Sequence, residues 1–379
     1  MNASLNEKLR AVKWGEFKYK EVFNRIEQGR RLKKDDQIDG TIPFVMSGTT
    51  NAGVVNYISN PVASFPKNAI TIDIFGNTFY RNYTFGAGDD TGVYWNDATA
   101  YSSNAMLFFA VAMQKSMMGR FSYGKKLRSS QSEDFTMHLP VTDDGAIDFD
   151  FMKSFIAELE AERVAELSAY LTVSGLDNYE LSEQELKALA ELKNVTWGKY
   201  KMGDLFEKIK TKKLPCKAKE LPTEATGKYT LPCLTSSFKN QGLNYFAPVQ
   251  GATVLKSVIT IPQNSDVYRA YYQSSDFTVL SDAYAIDWKF DKRTLSREQY
   301  LFMVMCINKV TDLPIYSYKN KLGGWNVVKD KYILLPQVNG EIDFNYMEDF
   351  ISAMQKLAIK DVVSFTDRKI AGTKEVIAK

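Results

Sequence analysis

Trp14-Gly15-Glu16-Phe17, followed by Val22-Phe23-Asn24-Arg25-Ile26, is answered by Trp197-Gly198-Lys199-Tyr200 followed by Leu205-Phe206-Glu207-Lys208-Ile209. Further matches run outward from this pair in the same order. Ile42-Pro43-Phe44-Val45-Met46-Ser47 parallels Leu231-Pro232-Cys233-Leu234-Thr235-Ser236, and Asn51-Ala52-Gly53 parallels Asn240-Gln241-Gly242. Tyr80-Arg81 is matched with Tyr268-Arg269, Phe121-Ser122-Tyr123 with Tyr316-Ser317-Tyr318, and Leu139-Pro140 with Leu335-Pro336. Gly145-Ala146-Ile147-Asp148-Phe149 meets Gly340-Glu341-Ile342-Asp343-Phe344 at the end. A period this long is the size of a domain, so the chain is a tandem duplication and not a solenoid.

Both copies share one coarse plan. A short amphipathic turn of helix (Val22, Phe23, Ile26; Leu205, Phe206, Ile209) precedes a β-rich body punctuated by Gly, Asn and Pro. Helical stretches are expected late in each body, over 105–113 and 300–307. Each body then leads into a long helix whose apolar stripe repeats at i, i+3, i+4 and i+7. The stripes are Met152, Phe155, Ile156, Leu159, Leu167 and Leu171, and Met347, Phe350, Ile351, Met354, Leu357 and Phe365. Ser182-Glu183-Gln184-Glu185 reads as a capping box opening a further helix, with Leu186, Leu189 and Leu192 on one side. The expected class is α+β: β-rich domains over 1–150 and 194–345, a helical connector over 151–193, and a C-terminal helix over 346–379. The two long helices are expected to pack against each other.

Composition narrows the chemistry. The 379 residues are 45% hydrophobic and 25% charged, which supports packed cores. No run of 18 apolar residues occurs, and the N-terminus has no apolar segment of the signal-peptide kind. Three scattered cysteines fit a reducing cytosol and give no disulfide framework or Cys-based zinc site. The single histidine, His138, aligns with Leu334 and excludes chemistry that needs two histidines. Neither a phosphate-binding glycine loop nor an Asp-Pro-Pro-Tyr-like methyltransferase motif is present. Asp148 and Asp150, with Asp143 and Asp144, are better explained as helix N-terminal charge than as a metal site.

The net charge of +3 hides an uneven distribution. Residues 143–193 hold 13 acidic against four basic side chains, whereas 207–219 hold six lysines against Glu207 alone. Basic lobes beside an acidic connector fit a polyanion partner, although solvated lysine faces would give the same counts. Candidate nucleic-acid contacts in the first copy are Arg30, Arg31, Lys33, Lys34, Tyr80, Arg81, Lys125, Lys126 and Arg128. In the second copy they are Lys210, Lys212, Lys213, Tyr268, Arg269, Lys319 and Lys321. Long cations beside small residues can neutralise phosphates, and an arginine fork suits guanine edges. Phe155, Leu159, Leu167, Leu171, Met354 and Leu357 are candidate partner-docking residues.

The doubled order of Trp-Gly start, Ile-Pro-Phe-Val-Met-Ser or Leu-Pro-Cys-Leu-Thr-Ser strand, Gly-Lys-Lys-Leu-Arg-Ser-Ser loop and Leu-Pro ending resembles the specificity subunits of restriction–modification systems. The resemblance covers nearly the whole chain. It implies two target-recognition domains, each followed by a helix, with the helices packed antiparallel as a spacer. Leu139-Pro140 and Leu335-Pro336 do not continue into the Pro-Pro-x-x-Glu-Gln of the common type I pattern, which looks closer to BcgI-like systems. The implied role is non-catalytic reading of a bipartite, asymmetric duplex DNA site. The implied partners are a methyltransferase or fused endonuclease–methyltransferase, with a motor subunit in type I systems. S-adenosylmethionine would then sit on the partner, with no cofactor on this chain. A self-sufficient nucleic-acid enzyme and a tandem module binding peptide or glycan stay open on the residues alone.

Overall fold

The computed structural model describes residues 3–61, 64–214 and 216–377, so the outermost residues of the first expected domain and of the C-terminal helix lie outside the described residues. The chain divides into two compact units, Met1–Tyr170 with Thr366–Lys379, and Leu171–Phe365.

The first unit begins with α1 (Ala3–Ala11), β1 (Lys13–Lys18), α2 (Tyr19–Val22), β2 (Arg25–Gln28), β3 (Asp39–Val45) and β4 (Val54–Ile58). It continues with β5 (Ser64–Phe65), β6 (Ala69–Asp73), β7 (Thr78–Arg81), β8 (Phe85–Ala87) and β9 (Thr91–Trp95). Helix α3 (Ser103–Met117), β10 (Thr136–Val141) and α4 (Phe149–Val173) follow. The main sheet has the order β2-β9-β6-β7, a second sheet β4-β3-β8-β5, and β1 pairs with β10. Strand β6 is buried on both faces, which is why 69–73 reads as an apolar run without alternation. Tyr19, Phe23, Tyr94 and Phe109 interlock edge-to-face in the core.

The second unit repeats this plan. It holds α5 (Glu183–Glu191), β11 (Thr196–Lys201), α6 (Met202–Leu205), β12 (Phe206–Lys208), β13 (Tyr229–Leu234) and β14 (Leu243–Pro248). Then come β15 (Val258–Pro262), β16 (Tyr271–Gln273), β17 (Thr278–Val279), β18 (Ala283–Trp288) and α7 (Arg297–Thr311). It ends with α8 (Trp325–Val328), β19 (Tyr332–Val338), β20 (Glu341–Ile342) and α9 (Phe344–Ile377), whose last turns from Thr366 on belong to the first unit. The sheets are β12-β18-β15-β16, β14-β13-β17 and β11-β19-β20. The main sheets match strand for strand; the second unit has only the isolated bridge Leu255–Phe277 where the first has β5–β8, and the first has only the bridge Val141–Ile147 where the second has β19–β20.

The repeated motifs meet in space. Trp14 lies opposite Pro140 and Gly15 opposite Leu139, while Trp197 lies opposite Pro336 and Gly198 opposite Leu335. The indoles stack in the same way, Trp14 on Phe108 and Trp197 on Phe302, each at 6.3 Å. Asp148 and Asp343 each accept the backbone N–H three residues on, capping α4 and α9.

Two expectations need correction. The helical turn before each body is α2 or α6, only four residues long, and Ile26 lies in β2. The helix capped by Ser182 is not an appendage of the connector. It precedes β11 as α1 precedes β1, so it is the head of the second repeat. Its buried residues are Glu185 and Ala188, while Leu186 and Leu192 are exposed, because Glu185 turns inward to meet α9.

Gly29 follows β2 where two backbones nearly touch. A Cβ there would lie 2.1 Å from the Gly88 carbonyl oxygen, which cannot swing aside. Gly29→Ala is expected to cost about 2–3 kcal/mol. Thermal unfolding should show the loss as a Tm drop of roughly 5–10 °C.

Candidate nucleic-acid interface

After β3 and after β13 the chain makes the same unusual turn. Asn51 and Ala52 have φ of 48° and 50°, and Asn240 and Gln241 have 46° and 53°. Gly53 and Gly242 follow at 81° and 95°. Asparagine tolerates this left-handed region, but alanine and glutamine do so at a cost of about 1–2 kcal/mol each. Ala52→Gly should therefore stabilise the first unit by about 1 kcal/mol, read as a higher denaturant midpoint.

A side chain from the main sheet holds each turn. Buried Arg81 donates through Nε to Thr71 Oγ1 at 3.1 Å, through one terminal nitrogen to the Ala52 carbonyl at 2.6 Å, and through the other to the Tyr83 hydroxyl. In the second unit Gln273 Nε2 donates to Thr260 Oγ1 at 3.0 Å and to the Gln241 carbonyl at 3.3 Å. Arg81 is thus a clamp with its donors occupied. As a guanine-reading fork it is corrected by its 2% exposure. Burial also lowers its pKa, against the hydrogen bond it donates to the Tyr83 hydroxyl.

The sequence match of Tyr80-Arg81 with Tyr268-Arg269 is corrected as well. Ile70 faces Tyr80 across the β6–β7 pair, and Ile259 faces Tyr272 across β15–β16, so the structural partner of Tyr80-Arg81 is Tyr272-Gln273. Tyr268 is buried in the core, and Arg269 is paired with Asp312 at 2.7 Å. Tyr80 donates to Asn68 Oδ1 and Ser103 Oγ.

A second duplicated feature is an exposed loop tip. Ser122 and Lys125 exchange backbone hydrogen bonds, and Ser317 N–H donates to the Asn320 carbonyl. Exposed Tyr123 carries Lys126 4.8 Å from its ring centre, and exposed Tyr318 carries Lys321 at 4.7 Å. Leu127 and Leu322 anchor the tips in the core. Lys125 and Lys319 are exposed beside them. Arg128 donates to the Asp89 carbonyl and is partly engaged. Arg30, Arg31, Lys33 and Lys34 are exposed after β2, with Asp35 and Asp36 next to the last two.

The lysine-rich stretch of the second unit forms one wall of a groove of about 900 Å³. Lys208, Lys212, Lys213 and Lys217 line it, opposite Thr235, Ser236, Ser237 and Asn244 beside the left-handed turn. Among the described residues Lys212, Lys213 and Lys217 have no ion pair, and Lys210 is exposed nearby. Lys208 sits 5.3 Å from the Tyr284 ring centre. Lys208 and Lys217 were not singled out as contacts. The charge run at 207–219 was their signal, but only the folded loop turns them into one cavity with the hydroxyls of 235–237.

The helix faces separate into core and surface. Phe155 is 5% exposed and packs on Phe108 and Phe151; Leu171 is equally buried. Both are corrected as docking residues, because their area is already covered. Leu159 and Leu167 are partly buried, and Leu159 lines an apolar groove of about 840 Å³ with Leu9, Trp14 and Val111. Met354 and Leu357 are exposed. Glu185 ties α5 to α9 by accepting from Ser352 Oγ and from Lys356 Nζ at 2.9 Å. Within the first unit, Lys369 reaches Glu160.

Burial pushes the Cys233 and Cys306 thiols up to about 12. His138 lies exposed on β10 opposite Glu16. Among the described residues no helix is long and apolar enough to cross a membrane.

Comparison with known proteins now bears on this geometry. The family model of the Type I restriction modification DNA specificity domain matches residues 11–169. The specificity subunit of the type II restriction enzyme BcgI from Heyndrickxia coagulans is 28% identical over 155 residues. That alignment covers 40% of this chain and 45% of the relative, so the chain matches about half the length of its curated relative. The S subunit of a type I restriction–modification system from M. genitalium has a TM-score of 0.54 at 13% identity, covering 97% of this chain and 94% of that one. With its first unit similar in sequence to the specificity domain and both units sharing one topology, the chain has the two-domain fold with long helices of the M. genitalium S subunit.

Proposed function

We propose that the chain is the DNA-specificity subunit of a restriction–modification complex and catalyses nothing itself. Each unit engages one half of a bipartite, asymmetric duplex site. The long helices serve as spacer and docking surface for a methyltransferase or fused endonuclease–methyltransferase, with a motor subunit in a type I assembly. S-adenosylmethionine binds the partner, and the complex works in the cytoplasm. The carrying observation is the duplication itself. One topology presents the same left-handed turn and the same Tyr–Lys tip twice, with unlike loops around them. Basic, hydroxyl-rich surfaces of this kind suit phosphate contact.

The test is methylome mapping in cells carrying the chain together with a restriction–modification methyltransferase subunit, alongside binding of the purified complex to duplex DNA. The expected result is a two-part motif with unlike halves and a steep loss of affinity with salt. Methyl transfer or cleavage by the chain alone, or a complex with no duplex affinity, would overturn the proposal.

A further inference from the structure

The two left-handed turns keep one backbone while their side chains diverge. Residues 49–52 are Thr-Thr-Asn-Ala, and residues 238–241 are Phe-Lys-Asn-Gln. The φ angles of the matched pairs at 51–52 and 240–241 agree within a few degrees. Each turn is strained, held by a side chain donated from the main sheet, and solvent-facing at Thr49, Thr50 and Asn51 or at Phe238, Lys239 and Asn240. Strain that persists at a surface site is retained because the surroundings fix it, and preorganisation is one use for it. The other shared features cannot tell two half-sites apart. The Tyr–Lys tips carry the same pair in both units, and lysines on a groove wall contact phosphates without regard to sequence.

Resting on the reading of the chain as a specificity subunit, we infer that these turns are base-reading elements, one for each half-site, and that Arg81 and Gln273 are positioning residues that set their height above the sheet. Asn51 and Asn240 present a carboxamide able to pair with adenine. Asn51 spends one hydrogen on a long 3.4 Å contact to the Val54 carbonyl. The neighbours, Thr49 and Thr50 against Phe238 and Lys239, supply the difference between the halves. In the second unit Ser236 and Ser237, just before the turn, face the lysine wall, so a strand gripped by its phosphates there would pass the turn at close range.

The test exchanges side chains on a fixed backbone. The full chain carrying Thr49→Phe, Thr50→Lys and Ala52→Gln is assembled with its methyltransferase and given a plasmid library with randomised half-sites. Preference at one or two base pairs of a single half-site should change on the order of 10–100-fold, with the other half-site unaltered. Arg81→Met should blur the same positions, and Arg81→Gln, which copies the second unit, should restore them. An unchanged motif in the exchange variant, or a change in both halves, overturns the inference and leaves the proposed function standing. A wild-type complex that yields no bipartite motif overturns both.

Discussion

Glu185→Ala is expected to lower the unfolding free energy of the second unit by about 3 kcal/mol, because it takes away the counter-charge of the half-buried Lys356 ammonium, leaving it only the Glu180 carbonyl, and removes the acceptor of Ser352. The Glu185 side chain is only 6% exposed and also closes a capping box by accepting from Ser182 N–H. Burial alone would raise its pKa. The bonds from Ser352, Ser182 and Lys356 outweigh burial and hold it below the ordinary 4.5. A depressed carboxyl contributes stability that is full above the unfolded value and fades as pH falls through the folded one. The gap between wild type and Glu185→Ala should thus be widest at neutral pH and narrow in acid, as pH falls below the ordinary carboxylate range. Denaturant unfolding at both pH values checks this, and equal gaps at the two would remove the charge from the account.

Neutralising the groove wall should weaken DNA binding more than any single tip variant. Lys212→Gln, Lys213→Gln and Lys217→Gln together remove three positive charges that have no ion pair among the described residues, although Asp282 lines the same groove. Each phosphate contact contributes close to one unit to the slope of log affinity against log salt. The triple variant should lose about 2–3 units of slope and on the order of 10–100-fold in affinity at 0.15 M salt. The loss should be the same for cognate and unrelated duplexes. A titration series over salt, run on the assembled complex, measures both numbers. A loss confined to cognate DNA would recast these lysines as readers.

Much of the architecture could be read from the chain because the duplicated motifs lie where backbone geometry is demanding. Trp-Gly lies across from Leu-Pro in a paired strand, and Asn-x-Gly marks the left-handed turn. Two matters escaped. The equivalence of α1 and α5 is invisible in ASLNEKLRA and EQELKALAE, since a short surface helix needs only a few inward positions. The Tyr-Arg match misled because the link between β6 and β7 spans 74–77 while that between β15 and β16 spans 263–270. The longer link slides the true partner four places along and leaves a chance resemblance behind. Burial decided the fate of Arg81 and Phe155, and burial is a property of neighbours that a one-dimensional pattern does not name.

The clamp on each turn grasps a main-chain carbonyl and ignores the side chain above it. Arginine does this in one unit and glutamine in the other, with the same outcome. What sits on the crest is thereby released from any duty to the scaffold beneath. A lineage under pressure to address new targets could rewrite those few letters without first repairing the core, and a protein engineer could begin at the same place.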